Sequence, residues 1–104
     1  MVEVVTSATF DRWLQKLKDR RAVVRVLIRI DRLAVGNPGD VKPVGRGVSE
    51  LRVNYGPGYR VFFLREGDRL VLLLTGGDKS TQDADISAAH TIAQTWHRTQ
   101  GAHE

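Results

Sequence analysis

Apolar positions along this chain change their period several times, and each change predicts an element. Val2 to Thr6 is a short β-branched run that reads as a strand. Phe10, Trp13, Leu14 and Leu17 then recur at helical spacing, which predicts an amphipathic helix over about Ala8 to Asp19, with Ser7 or Thr9 as its cap. A second stripe, Val23, Val26, Leu27, Ile30 and Leu33, predicts another helix stopping at Gly36-Asn37-Pro38-Gly39. Its other face carries Arg21, Arg25, Arg29 and Arg32, read as solvated charge, as a nucleic-acid patch or as a strip that docks an acidic partner. Asp40 to Gly47 reads as a connecting loop holding Lys42 and Arg46.

From Val48 the period drops to two. Leu51 and Val53 alternate with Glu50 and Arg52; Tyr59, Val61 and Phe63 alternate with Arg60 and Phe62. With Asn54 to Gly58 as the loop, Val53 faces Tyr59, Leu51 faces Val61 and Arg52 faces Arg60. A slip of one residue would set Val53 against Arg60 and mix the two faces, so this register is preferred. Gly67-Asp68 suits a two-residue turn that pairs Glu66 with Arg69 and places Arg60 beside Thr75. The run Leu70 to Thr75 is apolar on both faces, as a central, doubly covered strand should be. Gly76-Gly77-Asp78-Lys79 is expected to leave the sheet. Ser80 with Asp83 reads as a capping box for a last helix striped by Ile86, Ala89, Ala93 and Trp96, with a frayed tail from Arg98 to Glu104.

The order is β-α-α-β-β-β-α. It predicts one α+β domain over 1–104, a mainly antiparallel sheet packed on an N-terminal helix pair and a C-terminal helix. Composition then narrows the chemistry. There is no cysteine, which excludes disulfides and thiolate metal sites and suits a reducing cytoplasm. No apolar run is long enough to span a membrane, and Met1-Val2-Glu3-Val4-Val5 lacks the basic start of a signal peptide. Net charge is +4, the pI is near 10.0, and arginine supplies 12 of the 16 basic residues. That balance favours a polyanionic or acidic partner, and the guanidinium fork fits phosphate in particular.

Like charges facing each other across a hairpin are destabilising, so Arg52 and Arg60 call for an anion, and the expected anion is a phosphate. Lys79 lies just beyond the strand that borders Arg60, and Glu50 shares a face with Arg52. Such a group could cleave RNA without metal or other cofactor. A cation holds the scissile phosphate, a carboxylate such as Glu50 takes the 2′-hydroxyl proton, and a cationic acid protonates the leaving oxygen. Tyr55, Tyr59 or Phe62, where exposed, could stack a base, and Lys42 and Arg46 could bind the RNA backbone. The plainer reading has Glu50 neutralising Arg52 and Arg60 pairing with Asp78. Trp13 and Trp96 read as core, and His90, His97 and His103 have no metal-ligand spacing.

Three segments, Gly47 to Arg52 (G-V-S-E-L-R), Gly56 to Phe63 (G-P-G-Y-R-V-F-F) and Leu74 to Ile86 (L-T-G-G-D-K-S-T-Q-D-A-D-I), closely resemble the HigB-like addiction module killer proteins. These belong to the RelE/ParE toxin superfamily of bacterial type II toxin–antitoxin systems. The combination in this order and spacing is specific, and the similarity runs from the Phe10/Trp13 helix through the last helix. It implies a RelE-like fold and a cytoplasmic toxin encoded beside a helix-turn-helix antitoxin. It also implies the activity of many relatives, ribosome-dependent cleavage of mRNA, with operator DNA met only through the antitoxin. By position, Arg60 matches the arginine that handles the scissile phosphate, Lys79 stands near a general acid, and Arg52 lies on a strand that supplies another catalytic or RNA-binding residue. The chain departs from RelE itself in lacking the lysine-rich strand, the C-terminal catalytic tyrosine and a histidine in the Lys79 loop. Two competing functions remain open at this level: a non-enzymatic, ParE-like inhibitor of DNA gyrase, and a weakly toxic domain that binds its antitoxin.

Overall fold

The computed structural model describes residues 2–102. Its elements are β1 (Glu3–Thr6), α1 (Ala8–Lys16), α2 (Arg20–Ala34), β2 (Val41–Gly45), β3 (Val48–Val53), β4 (Tyr59–Glu66), β5 (Leu70–Asp78), a 3-10 turn (Lys79–Thr81) and α3 (Gln82–Ala102). The five strands form one sheet in the order β1-β5-β4-β3-β2, antiparallel except for the β1–β5 pair. This is the expected α+β architecture, consistent with a RelE-like fold, with one strand more than anticipated.

Local chemistry sets the helix starts. The Ser7 side chain accepts from the Phe10 N–H at 3.0 Å and donates to the Leu74 carbonyl at 2.6 Å, so the cap of α1 also ties it to β5. Asp19 caps α2 through the N–H groups of Arg21 and Ala22. α2 buries Ala22, Val26, Ile30 and Leu33, while Leu27, expected inside, is 43% exposed. Val26, Ile30 and Leu33 are common to the expected stripe, Val23 is half-buried, and Ala22 rather than Leu27 completes the buried face.

The sheet separates two cores. Leu51, Val53, Val61, Phe63, Val71 and Leu73 pack with Phe10, Val26, Ile30 and Leu33 on the α1/α2 side. Val48, Phe62, Leu64, Leu72 and Leu74 pack with Ala89 and Ala93 on the α3 side. β5 lies between β1 and β4 and is buried from Leu70 to Gly77, the central and doubly covered strand expected. Trp13 and Trp96 border the two cores, each half-buried.

Several boundaries differ from expectation, and α1 is one, ending at Lys16 rather than Asp19. The Asp40–Gly47 segment is not all loop: Val41 to Gly45 pair with β3 as an edge strand containing Pro43, a residue an edge tolerates. The turn after β4 takes three residues, because Glu66 pairs with Leu70; Glu66 and Arg69 still meet, as an ion pair at 2.6 Å within the turn. A bulge at Leu74 follows, so Arg60 lies opposite Gly77 rather than Thr75, which pairs with Phe62. Gly76 and Gly77 remain in the strand and leave room for neighbours. A Cβ at Gly76 would lie 2.3 Å from the Trp13 ring, and one at Gly77 would lie 1.8 Å from Asp85 Oδ2. Finally, α3 continues to Ala102 through most of the expected tail; His103 and Glu104 lie outside the described residues.

Candidate functional site

Arg52 and Arg60 are direct cross-strand partners, as the alternation required. Both project to the α3 side of the sheet, because Leu51, Val53, Val61 and Tyr59 take the other face. The anion between them is internal. Glu50 has no exposed surface, and its Oε1 accepts from Arg52 Nε at 2.9 Å and lies 3.4 Å from Arg60 Nε. Its Oε2 accepts from the Gln82 side chain at 2.8 Å. Both carboxylate oxygens are therefore engaged, by β3, β4 and the first residue of α3. The Glu50 bond is the main reason the Arg52 guanidinium holds its proton more tightly than usual.

Arg60 is held on two sides. Its side chain is 12% exposed, one terminal nitrogen donates to the Gly58 carbonyl at 3.1 Å, and Glu50 lies beside its Nε. That Nε is buried without a hydrogen bond, the contact at 3.4 Å supplying charge only. The Gly56-Pro57-Gly58 turn requires positive φ at both glycines, 55° and 82°. A Cβ at Gly58 would meet Arg60 at 3.5 Å and Lys79 at 3.8 Å, so this turn, Arg60 and Lys79 crowd one spot.

A depression of about 270 Å³ opens there, lined by Arg52, Arg60, Lys79, Asp40 and the Gly56–Gly58 turn. Three cations and the Asp40 carboxylate thus border one concavity, with Glu50 beneath. Lys42 stays near it, on the edge strand opposite Glu50. Arg46 does not. It sits at φ 56° in the turn before Val48, at the other end of β3, with about 13 Å of strand between Val48 and Arg52. Tyr59 packs edge-on to Trp13 on the α1/α2 face, 6.4 Å between rings. Tyr55 donates to Asp19 at 3.0 Å beneath the Arg25 guanidinium, and the carboxylate bond raises its phenol pKa. The structure separates Arg46 and both tyrosines from the arginine pair.

Asp78 does not pair with Arg60. It accepts from the Ser80 hydroxyl and N–H, which starts the 3-10 turn in place of the expected Ser80/Asp83 box and lowers the Asp78 pKa. Arg29, on the supposedly solvated face of α2, donates to the carbonyls of Arg52, Pro38 (2.8 Å) and Asp40 (3.4 Å). Two carboxylates escaped the sequence reading. Asp40 looked like the first residue of a loop. Asp85, half-buried over Gly77 and accepting from Thr81 Oγ1 at 2.6 Å, has its pKa raised by burial. The glycine pair inside an apolar strand was the one signal for Asp85, since such glycines mark a close approach. His90 bonds the Val44 and Gly45 carbonyls, and no cluster of metal-ligating residues occurs among the described residues. No described helix is long and apolar enough to cross a membrane.

The sequence matches the family described as phage derived protein Gp49-like (DUF891) over residues 12–97. A protein of Haemophilus influenzae carrying only the name "Uncharacterized protein" is 50% identical over 93 residues, covering 89% of this chain and 94% of that one.

Proposed function

Because the chain belongs to the Gp49-like phage-derived protein family, which is associated with toxin–antitoxin toxins of the RelE/ParE type, we propose that it is such a toxin, acting as an endoribonuclease on mRNA at the ribosome. The observation that carries this reading is the convergence of Arg52, Arg60 and Lys79 on one depression above a buried, fully engaged carboxylate. A gyrase-binding inhibitor has no need of three converged cations in a concavity.

The geometry supports the following roles. Arg60, fixed by Glu50 and Gly58, binds the scissile phosphate and offsets the charge that grows on it in the transition state. Arg52 shares that phosphate or its neighbour. Lys79, exposed on the 3-10 turn, protonates the leaving 5′-oxygen. Glu50 is a positioning residue rather than the base first considered for it, since it has no surface from which to reach a ribose hydroxyl. Lys42 extends the cationic surface along the RNA backbone. In the cell the partners are a cognate helix-turn-helix antitoxin and the translating ribosome, in the cytoplasm.

Induction in bacterial cells, read by primer extension on mRNA and by a gyrase supercoiling assay, tests this. Induced wild type is expected to give discrete cuts with supercoiling unaffected. Arg60→Ala and Arg60→Lys are both expected to abolish cleavage and growth arrest, the lysine because it loses the planar fork. Growth arrest undiminished in Arg60→Ala, or supercoiling lost without cuts, refutes the proposal.

A further inference from the structure

Cleavage at this site needs a proton acceptor, and the four carboxylates nearest the cations differ sharply in what occupies them. Glu50 is fully buried with both oxygens engaged. Asp78 is bound to Ser80, and Asp85 is bound to Thr81 against Gly77. Asp40 alone lines the depression with Arg52, Arg60 and Lys79. Its side chain is 60% exposed, accepts no hydrogen bond among the described residues, and reaches Arg52 only at 3.9 Å.

Although it precedes an edge strand, Asp40 is held in place. Its carbonyl accepts from the Arg52 N–H at 3.0 Å and from Arg29 at 3.4 Å. The backbone is thus pinned to β3 and α2 while the carboxylate stays available, which suits a catalytic base better than a structural ion pair. The charged groups around it are Arg52 on β3, Arg60 on β4, Lys79 on the 3-10 turn and Arg29 on α2.

We propose that Asp40 is the general base of this site, accepting the ribose 2′-hydroxyl proton beside the phosphate held by Arg60; this rests on the nuclease reading above. The 2′-oxygen bonds to phosphorus as its proton passes to the Asp40 carboxylate. The bond from phosphorus to the 5′-oxygen breaks, and that oxygen takes a proton from the Lys79 ammonium. The products are a 2′,3′-cyclic phosphate and a 5′-hydroxyl end, with no further reactant.

The test uses the full chain with a defined mRNA in a reconstituted translation system, under single turnover. Asp40→Asn is expected to slow cleavage by about 10²–10⁴-fold. Its binding to the same mRNA carrying 2′-O-methyl groups should be unchanged or tighter, because a negative charge near the phosphate has gone. Asp40→Glu should recover part of the rate. A substrate whose leaving 5′-oxygen is replaced by sulfur needs no proton on departure, so it should rescue Lys79→Ala and leave Asp40→Asn slow. Asp40→Asn within about threefold of wild type, or losing binding rather than rate, overturns the assignment. So does rescue of Asp40→Asn by the sulfur substrate. If Asp40→Asn keeps its rate while Arg60→Ala is inactive, only the base is wrong. If Arg60→Ala cleaves normally, the site itself is wrong and the base falls with it.

Discussion

Replacing Glu50 by glutamine is the sharpest probe of how the site is built. The change keeps the shape and the Gln82 contact but removes the charge that sits between two arginines. At 3.4 Å and an effective dielectric near 20, the Glu50–Arg60 attraction is about 5 kcal/mol. Desolvation costs several kcal/mol per buried ion, so the intact pair contributes little net. Breaking it is another matter. Arg60, 12% exposed and with its Nε already lacking a hydrogen bond, would keep a buried charge with no counterion. Removing one partner of a buried pair costs about 3–5 kcal/mol, which for a domain of this size lowers Tm by roughly 12–20 °C. Differential scanning calorimetry at neutral pH measures this directly. Replacing both residues by apolar ones of similar volume, Glu50→Leu with Arg60→Met, should cost less than the sum of the single changes. A Tm drop under about 4 °C for Glu50→Gln, or strictly additive losses in the double variant, would refute the buried-clamp account.

Gly76→Ala drives a methyl group into the Trp13 ring, whose carbons lie 2.3 to 2.5 Å from the built position; the expected cost is about 1–3 kcal/mol by urea unfolding, with altered tryptophan fluorescence. Arg29→Met removes the donor that three carbonyls share and should cost about 1.5–3 kcal/mol, with faster amide exchange at the start of β2 and at Arg52. Asp85 has a raised pKa, so its protonation favours the folded state. That contribution is present below about pH 4 and lost as pH rises through the higher folded value. Asp85→Asn should therefore melt at or above wild type at pH 7, the difference closing towards pH 4, which a pH series of thermal melts would show. Asp78 works in the opposite sense. Its lowered pKa adds stability above about pH 4 that is lost as pH falls, so Ser80→Ala should make acid unfolding begin at a higher pH.

Much of the fold was legible because its pattern is local. The alternation from Glu50 to Phe63 excludes a one-residue slip, which would mix the faces, and with Asn54 to Gly58 as the loop the register it favours is the one observed. The same pattern set Arg52 against Arg60 and made Glu50 their same-face neighbour. Errors arose where spacing alone cannot see a partner. Pro43 disguised an edge strand whose partner is β3, and the extra turn residue with the Leu74 bulge moved Arg60 from Thr75 to Gly77.

Sequence by itself determined every element but the edge strand β2, together with the doubly buried central strand, the facing arginines and the basic, arginine-rich character, because each follows from residue type and period. Tertiary structure decided which charges are free. Glu50 is consumed by Arg52, Arg60 and Gln82, Asp78 by Ser80 and Asp85 by Thr81, while Asp40 remains open beside the cations. It also turned Tyr59 toward Trp13 and left Lys79 beside Gly58. Whether a carboxylate is a clamp or a base depends on burial and on how its oxygens are occupied, and both are set by residues distant in the chain.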